Sequence, residues 1–360
     1  MSFLFFKTFV VYKNFFKDDI QEYLTDSFRL LYKSEMWMWL WDMKLFFSQC
    51  VVALGVFVFN VNVIFADTYR LPAEEESVIG DVQFVKARYE DTFSDIARRY
   101  NLGYNELVLA NPGVDPWLPG EGTSILIPTL YVLPDAPREG LVLNVPEMRI
   151  YYFPEERIAG EKVVMTYPVS VGRVEWNTPL GLTKVTKKQR NPTWYPPESI
   201  RKEHAERGEP LPKVVPPGPD NPLGNHAIRL AIPSYLIHGT NRPYGIGMRV
   251  THGCVRMYPE DISVLFNDVH LGTPVHIVNQ PYKAGWRAGK LFIESHPPLE
   301  EDLAKYQKNR TPIIKAIVQA DKREGTEVMW EQVLEVAEAE NGLPAAVATS
   351  SAKNIAAALE

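Results

Sequence analysis

From Leu141 to Lys188 the chain is written in short alternating runs, and this pattern constrains the fold more than any other feature. Met165, Tyr167, Val169 and Val171 fall on one side of a two-residue period, and Gly172 ends the run. Leu182-Thr183-Lys184-Val185-Thr186 alternates again after a Pro/Gly break. The whole chain holds 29 prolines and 22 glycines, too many breakers for a helical bundle, so the expected class is mainly β, an antiparallel sandwich or barrel. Further strand-like pieces lie at 227–231, 234–238 and 274–278, which sets this domain at 139–280. Inside it, residues 191–224 break the pattern with a polar helical stretch and six prolines between Pro210 and Gly224. An excursion of that length in a β domain reads as a functional flap.

The flanking regions differ. Residues 1–42 are aromatic-rich without a sustained period and read as an upstream extension or a mis-assigned start. Met43-Lys44 then precedes an uncharged run from Leu45 to Ala66, the pattern of a signal peptide over 43–66. A transmembrane anchor is the alternative, since the run approaches the roughly 20 residues needed to span. Either reading exports the rest of the chain, to the periplasm in the first case and facing it in the second. Residues 67–80 read as an acidic linker, 281–345 as a helical C-terminal subdomain and 346–360 as a flexible tail. A net charge of −6 argues against nucleic acid as the main partner.

Residues 81–129 form a unit of their own. A strand at 82–87 precedes Thr92, whose partner Asp95 marks a helix start, and Phe93, Ile96, Ala97 and Tyr100 follow at helical spacing. A second short helix fits 105–110, closed by Asn111-Pro112-Gly113, and Ser124–Pro128 supplies a second strand. This βααβ order, with Asp91-Thr92-Phe93, Ile96-Ala97, Tyr100, Leu107, Asn111-Pro112, Gly120 and Ile125-Leu126-Ile127-Pro128, resembles a LysM module. The resemblance implies binding of peptidoglycan strands. No candidate catalytic residue lies in this unit, so its deletion is expected to leave the site reactive.

The chemistry concentrates between Ile237 and Met257. Cys254 is the one cysteine left after an exported chain loses Cys50, and a lone thiol in an oxidising compartment is a liability unless it works. The bland alternative is a buried cysteine acting as a small hydrophobe. His238 and His252 lie near it in sequence, as a base for a thiol nucleophile must. Gly239, Gly245, Gly247 and Gly253 let the backbone bend closely around a substrate. Backbone N–H groups at Gly253 and Cys254 could face an oxyanion. A copper site built from His238, His252, Cys254 and Met257 is the competing constellation.

The run from His238 to Met257, with Val171-Gly172, Thr178-Pro179-Leu180-Gly181, Trp194-Tyr195-Pro196 and Asn221-Pro222-Leu223-Gly224, resembles the L,D-transpeptidases of YkuD type, in particular the Gram-negative ErfK/YbiS-like group. Arg256, where many members carry asparagine, fits the lipoprotein-attaching subgroup. The resemblance implies acyl transfer on peptidoglycan stem tetrapeptides. Cys254 would attack the L-centre carbonyl of diaminopimelate and expel D-alanine. The thioester would then pass to another stem's diaminopimelate or to a lysine of an outer-membrane lipoprotein. His238 would move the proton, His252 would orient the loop, and the Gly253 backbone N–H would serve the oxyanion. Arg256, Trp194, Tyr195 and Thr251 would meet the substrate, with no metal or organic cofactor. A hydrolase on the same scaffold, or a wall-binding protein without activity, are the alternatives. Removing His238 is expected to bring the thiol toward about 8.5 and nearly abolish acylation at neutral pH.

The export reading has a direct check. Amino-terminal sequencing of the protein from the cell envelope should find a chain beginning near Asp67; peptides from residues 1–42 in the mature protein would refute it.

Overall fold

The computed structural model describes residues 67–321 and 326–349. The expected upstream extension, the apolar segment 43–66 and the part of the tail beyond 349 lie outside the described residues.

The expected linker is not one. Strands β1 (Asp67–Arg70) and β2 (Val78–Gly80) occupy its two ends. β1 pairs with the barrel strand that holds Val163–Thr166, and β2 pairs with the strand Leu130–Val132. Next come β3 (Gln83–Lys86), α1 (Phe93–Arg99), α2 (Tyr104–Ala110) and β4 (Ser124–Ile127). Here Thr92 and Asp95 exchange the reciprocal bonds of a capping box, which satisfies donors that a helix start leaves free. Antiparallel β3 and β4 close over a small core of Phe93, Ile96, Leu102, Leu107, Ile125 and Ile127. β5 (Leu130–Val132) leads into the main domain.

That domain comprises β6 (Gly140–Asn144), β7 (Arg149–Phe153), β8 (Val163–Gly172), β9 (Gly181–Arg190), α3 (Glu198–Glu206), β10 (His226–Leu230), β11 (Leu236–His238), β12 (Arg249–Thr251), β13 (Val255–Met257), α4 (Pro259–Asp268) and β14 (Pro274–Val278). The pairings β8–β13–β11–β10–β9–β14–β6–β7 return to β8, so the sheet closes into a barrel. Most pairs are antiparallel, while β11–β13 and β6–β14 run parallel. Met165, Tyr167, Val169 and Val171 fill the interior with Leu141, Leu143, Ile228, Ile237, Val255 and Met257. Closure removes the edges a sheet would otherwise expose.

Residues 281–345, read as helical, also hold strands. β15 (Tyr282–Arg287), β16 (Lys290–Ser295), α5 (Leu303–Tyr306), α6 (Thr311–Ala320), β17 (Glu327–Val328), α7 (Trp330–Ala339) and β18 (Ala345–Thr349) form a four-stranded antiparallel sheet packed on helices. The helical period of 299–340 is real in α6 and α7. Trp286, Leu291 and Ile293 supply the sheet against which Ile313, Ile317 and Val333 pack. The tail is corrected too, because Val347 is fully buried in β18. Among the described residues no helix is long and apolar enough to cross a membrane.

Two buried charge clusters tie these parts together. Lys283 lies 2.8 Å from both Glu147 and Glu294, and His296 reaches Glu294 at 2.6 Å. Glu147, Glu294 and His296 are the three-residue group that could hold a metal among the described residues, but the Lys283 ammonium already sits among their oxygens. The second cluster docks the βααβ unit. Arg149, fully buried on β7, donates to Glu106 at 2.6 Å, to the Thr166 hydroxyl and to the Asn101 carbonyl at 3.3 Å. Asn101 Nδ2 donates to the Thr166 carbonyl at 3.0 Å, and the Tyr258 hydroxyl to the Leu102 carbonyl at 3.1 Å. Tyr104 N–H reaches the Ile246 carbonyl at 2.9 Å, and a Cβ placed on Gly247 would lie 2.3 Å from Gly103 Cα. The unit therefore contacts the loop that precedes Cys254, so deleting it would remove those contacts as well as the unit itself.

Removing one member of a buried pair costs about 3–5 kcal/mol, because the other charge stays buried without compensation. Glu106→Ala should lower stability by an amount of that order in urea unfolding. Adding Arg149→Met should recover most of it, whereas an unchanged unfolding midpoint in Glu106→Ala would show that the docking contributes nothing.

Candidate active site

β11 and β13 lie side by side, with Ile237 opposite Val255 and His238 opposite Arg256. Ile237 and Val255 point into the barrel core, so alternation puts His238 and Arg256 on the outside. Cys254, two residues before Arg256, opens toward the same face. Its Sγ lies 3.5 Å from the Ser234 carbonyl. Among the described hydrogen bonds none joins Cys254 to His238. They stand one pleat repeat apart, roughly 6.6 Å along the strand direction, and such contacts commonly tighten only when substrate arrives.

The turn that presents the thiol is held from three sides. Gly253 adopts φ +100°, and a Cβ there would come 3.0 Å from the Tyr235 ring. The Thr178 hydroxyl accepts from Gly172 N–H at 3.1 Å and donates to the Gly253 carbonyl at 3.1 Å. The peptide is planar and trans, so a Gly253 carbonyl aimed at Thr178 turns the Cys254 N–H to the opposite side. Thr251, read as a substrate contact, is buried, and its hydroxyl donates to the Cys254 carbonyl at 2.6 Å. It supports the loop instead of meeting the substrate.

His238 is buried beneath the end of the flap. Its Nδ1 faces the Gly239 carbonyl at 2.6 Å, which places the ring hydrogen on Nδ1 and the basic lone pair on Nε2. Burial, with the Arg256 charge alongside, depresses the imidazole to about 3. Burial pushes the Cys254 thiol up, against smaller opposing effects of the Leu236 backbone and of Arg256 and Arg229. The resting pair is therefore a neutral thiol beside a neutral imidazole. A thiolate–imidazolium pair, which the expected effect of removing His238 assumed, is not what this environment favours.

His252 is turned elsewhere. Its Nε2 lies 2.9 Å from Glu203 on α3, and its ring packs edge-on against Trp176 with centroids 5.2 Å apart. Glu203 also takes Arg173 at 2.7 Å and bonds Arg207, and the hydrogen bond from Arg173 leads the causes that hold its carboxyl down at about 2. His252 is lowered by burial while Glu203 opposes that shift. The copper constellation fails here, since Met257 sits in the barrel core, and His252 is engaged with Glu203. The flap is clasped by reciprocal backbone bonds of 2.9 Å between Trp194 and Val215, and by buried Asn221, which donates to the Pro192 carbonyl at 2.8 Å. Trp194 thus acts in the flap's own closure. Tyr195 is exposed, and no described hydrogen bond or ring contact links either residue to the Cys254 loop.

Sequence reasoning missed Glu203, Arg173 and the hydroxyl of Thr178. Thr178 lay within a motif already noted, whereas Glu203 is one acidic residue of a polar helix, 49 positions from its partner.

The neutral pair has a measurable signature. Alkylation of Cys254 by iodoacetamide should rise with a midpoint above that of an ordinary thiol and show no step between the depressed histidine, about 3, and that midpoint. His238→Ala should leave that midpoint in place while cutting acylation by a peptide donor about 10²–10⁴-fold. A step near about 6.5 that vanishes in His238→Ala would instead establish an ion pair.

Comparison with known proteins identifies the family. The L,D-transpeptidase catalytic domain family, YkuD, matches residues 138–277. The chain is 43% identical over 244 residues to the probable L,D-transpeptidase YcfS of Escherichia coli (strain K12), covering 66% of this chain and 75% of that protein. It is 37% identical over 296 residues to the probable L,D-transpeptidase ErfK/SrfK of the same strain, covering 79% and 92%. A crystal structure of L,D-transpeptidase 3 from Mycobacterium tuberculosis aligns at 20% identity and TM-score 0.29, over 43% of this chain and 67% of that one. A barrel that turns a cysteine outward on a glycine bend, and relatives matched over most of their length, make this chain a member of the L,D-transpeptidase family.

Proposed function

We propose that this L,D-transpeptidase works in the periplasm through a thioester on Cys254, taking its acyl group from a peptidoglycan stem tetrapeptide. The observation that carries this reading is the Gly253–Cys254 turn. It puts a nucleophilic sulfur and an outward-turned backbone N–H at one spot, with an imidazole on the same sheet face.

As the sulfur attacks the carbonyl of the diaminopimelate L-centre, His238 Nε2 takes the thiol proton and the C–S bond forms. The Cys254 N–H meets the oxygen on which negative charge develops, where a fixed donor is worth most. The C–N bond to D-alanine then breaks, and the imidazolium returns its proton to the leaving amine nitrogen. In the second half an amine attacks the thioester, loses a proton to His238, and the sulfur departs as thiol. A neutral starting pair suits this sequence, because charge separates only while the substrate stabilises it. No electrons change hands.

The acceptor is an amine of another stem or of an outer-membrane lipoprotein. The βααβ unit would hold the enzyme to glycan strands, a reading supported by Tyr89 and Trp117, which it leaves exposed. Because that unit is docked on the barrel, glycan binding and catalysis would share one rigid frame.

Incubating purified sacculi with the enzyme, then identifying muropeptides by mass spectrometry, tests this function. Free D-alanine with cross-linked or lipoprotein-linked stems is the expected result, and Cys254→Ser should give none. Free tripeptides as the sole new product would make the enzyme a hydrolase.

A further inference from the structure

Met165, Tyr167, Val169 and Val171 of β8 point into the barrel core, so the residues between them face outward and meet other parts of the protein in turn. Thr166 takes Asn101 of the βααβ unit on its carbonyl at 3.0 Å and Arg149 on its hydroxyl. Further along, the Ser170 hydroxyl donates to the Gly245 carbonyl at 2.6 Å, and Ser170 is paired with Arg256, two residues past Cys254. The one-turn helix Pro243–Gly245 therefore lies over the sheet face on which Cys254 opens, between the Cys254 turn and the unit. It is held to the unit as well. The Ser94 hydroxyl of α1 donates to the Tyr244 carbonyl at 3.4 Å, and Tyr104 N–H of α2 to the carbonyl of buried Ile246 at 2.9 Å.

Tyr244 thus has a backbone fixed from both sides and a ring in water. No described hydrogen bond or ring contact reaches that ring, so it adds little to folding, while its rigid placement lowers the entropy cost of docking a ligand. A lone exposed aromatic is ordinary, but this one continues a row. Trp117 packs on the Tyr104 ring with centroids 6.1 Å apart, and Tyr89 precedes Phe93, whose N–H donates to the Pro116 carbonyl at 2.7 Å. Tyr89, Trp117 and Tyr244 are 78%, 67% and 70% exposed. The row begins on the unit and ends on the barrel.

What lies on the row follows from length, resting on the acyl-transfer and glycan-binding readings above. One pleat repeat along β13 and one strand across to β8 place the Gly245 carbonyl roughly 10–15 Å from Cys254. The diaminopimelate whose carbonyl is attacked is the third residue of a tetrapeptide stem, and three extended residues reach about 10 Å. A sugar lying on Tyr244 therefore brings the third residue of its own stem to the sulfur. Sugar rings offer C–H-rich faces that an aromatic ring can cover while the tyrosine hydroxyl stays wet. We propose that Tyr244 extends the glycan-binding face of the βααβ unit onto the barrel, so that the enzyme draws its donor stem from the strand the unit already holds. Tyr244 binds the strand and moves no proton.

Two donors separate the cases: glycan strands several disaccharides long that carry tetrapeptide stems, and the free tetrapeptide. Release of D-alanine gives kcat/KM for each. The wild-type protein should prefer the strand by about 100-fold, the gain from presenting a stem whose strand is already bound. Tyr244→Ala should cut that preference about tenfold, through KM and on the strand far more than on the free tetrapeptide, with the urea midpoint unchanged. Tyr244→Phe should keep it, because the ring face does the binding, and Trp117→Ala should lower it. A preference lowered by Trp117→Ala but not by Tyr244→Ala overturns the proposal and leaves glycan binding by the unit standing. Equal use of strand and tetrapeptide by the wild type overturns it outright. No D-alanine from either donor overturns the acyl-transfer reading itself, and the proposal with it.

Discussion

Strand β8 is buried along all ten of its residues, so each polar group of its backbone must find a partner inside the protein. It does so by pairing with β1, β7, β12 and β13. Pro168, which has no N–H to give, falls between the stretch paired to β1, ending at Thr166, and the stretch paired to β13, beginning at Val169. The closed barrel and the placement of β13 beside β11 both rest on this strand. So does the Gly253–Cys254 turn, because β8 ends at Gly172, where a Cβ would lie 1.9 Å from the Trp176 carbonyl and 3.1 Å from Gly253 Cα. Only glycine lets the end of the barrel wall and the Cys254 turn approach so closely. The Thr178 hydroxyl joins them by accepting from one and donating to the other.

Electrostatics at the site follow from where this scaffold puts its charges. His238 is buried and stands beside a cation, and both influences favour the neutral ring. The thiol is raised by burial, and Arg256 offsets only part of that. A cysteine kept as thiol is also protected, since the thiolate is the form that attacks oxidants and disulfides. The carboxylate of Glu203 sits outside this balance, spent on His252 and two arginines. It ties the flap helix α3 to His252, two places before Cys254.

What could be read from the sequence was what is local. Cys254, Gly253 and His238 lie within seventeen residues, and the Thr92–Asp95 cap and the interior positions of β8 also declare themselves over short spans. Residues whose partners are distant stayed hidden. β1 reads Asp-Thr-Tyr-Arg, polar enough to pass for linker, and becomes a strand only because β8 offers an edge. β18 is Ala-Ala-Val-Ala-Thr, whose alanines suggest a tail until β16 and β17 flank it. Thr251 lies in the motif and so invited a role with substrate, yet the fold uses its hydroxyl three residues away on a backbone carbonyl. Motif membership reports that a residue is needed without saying which way it points.

Arg149 and Arg256 show how one side chain divides between folding and function in this protein. Arg149 is enclosed by Glu106, Thr166 and Asn101, with the Tyr131 ring 4.4 Å from its guanidinium carbon. Its two terminal nitrogens are bonded within the protein, while its Nε has no partner among the described residues, so what it holds together is the docking of the βααβ unit. Arg256 has a comparable position on a barrel strand, but the neighbour that acts on it most strongly is another cation. Stability alone would not retain that arrangement, because an apolar residue of similar volume would remove both the desolvation cost and the repulsion. What retains a charge in such a place is a partner that comes and goes. On a face shared with the Cys254 sulfur and a buried imidazole, the substrate of the proposed acyl transfer would be such a partner.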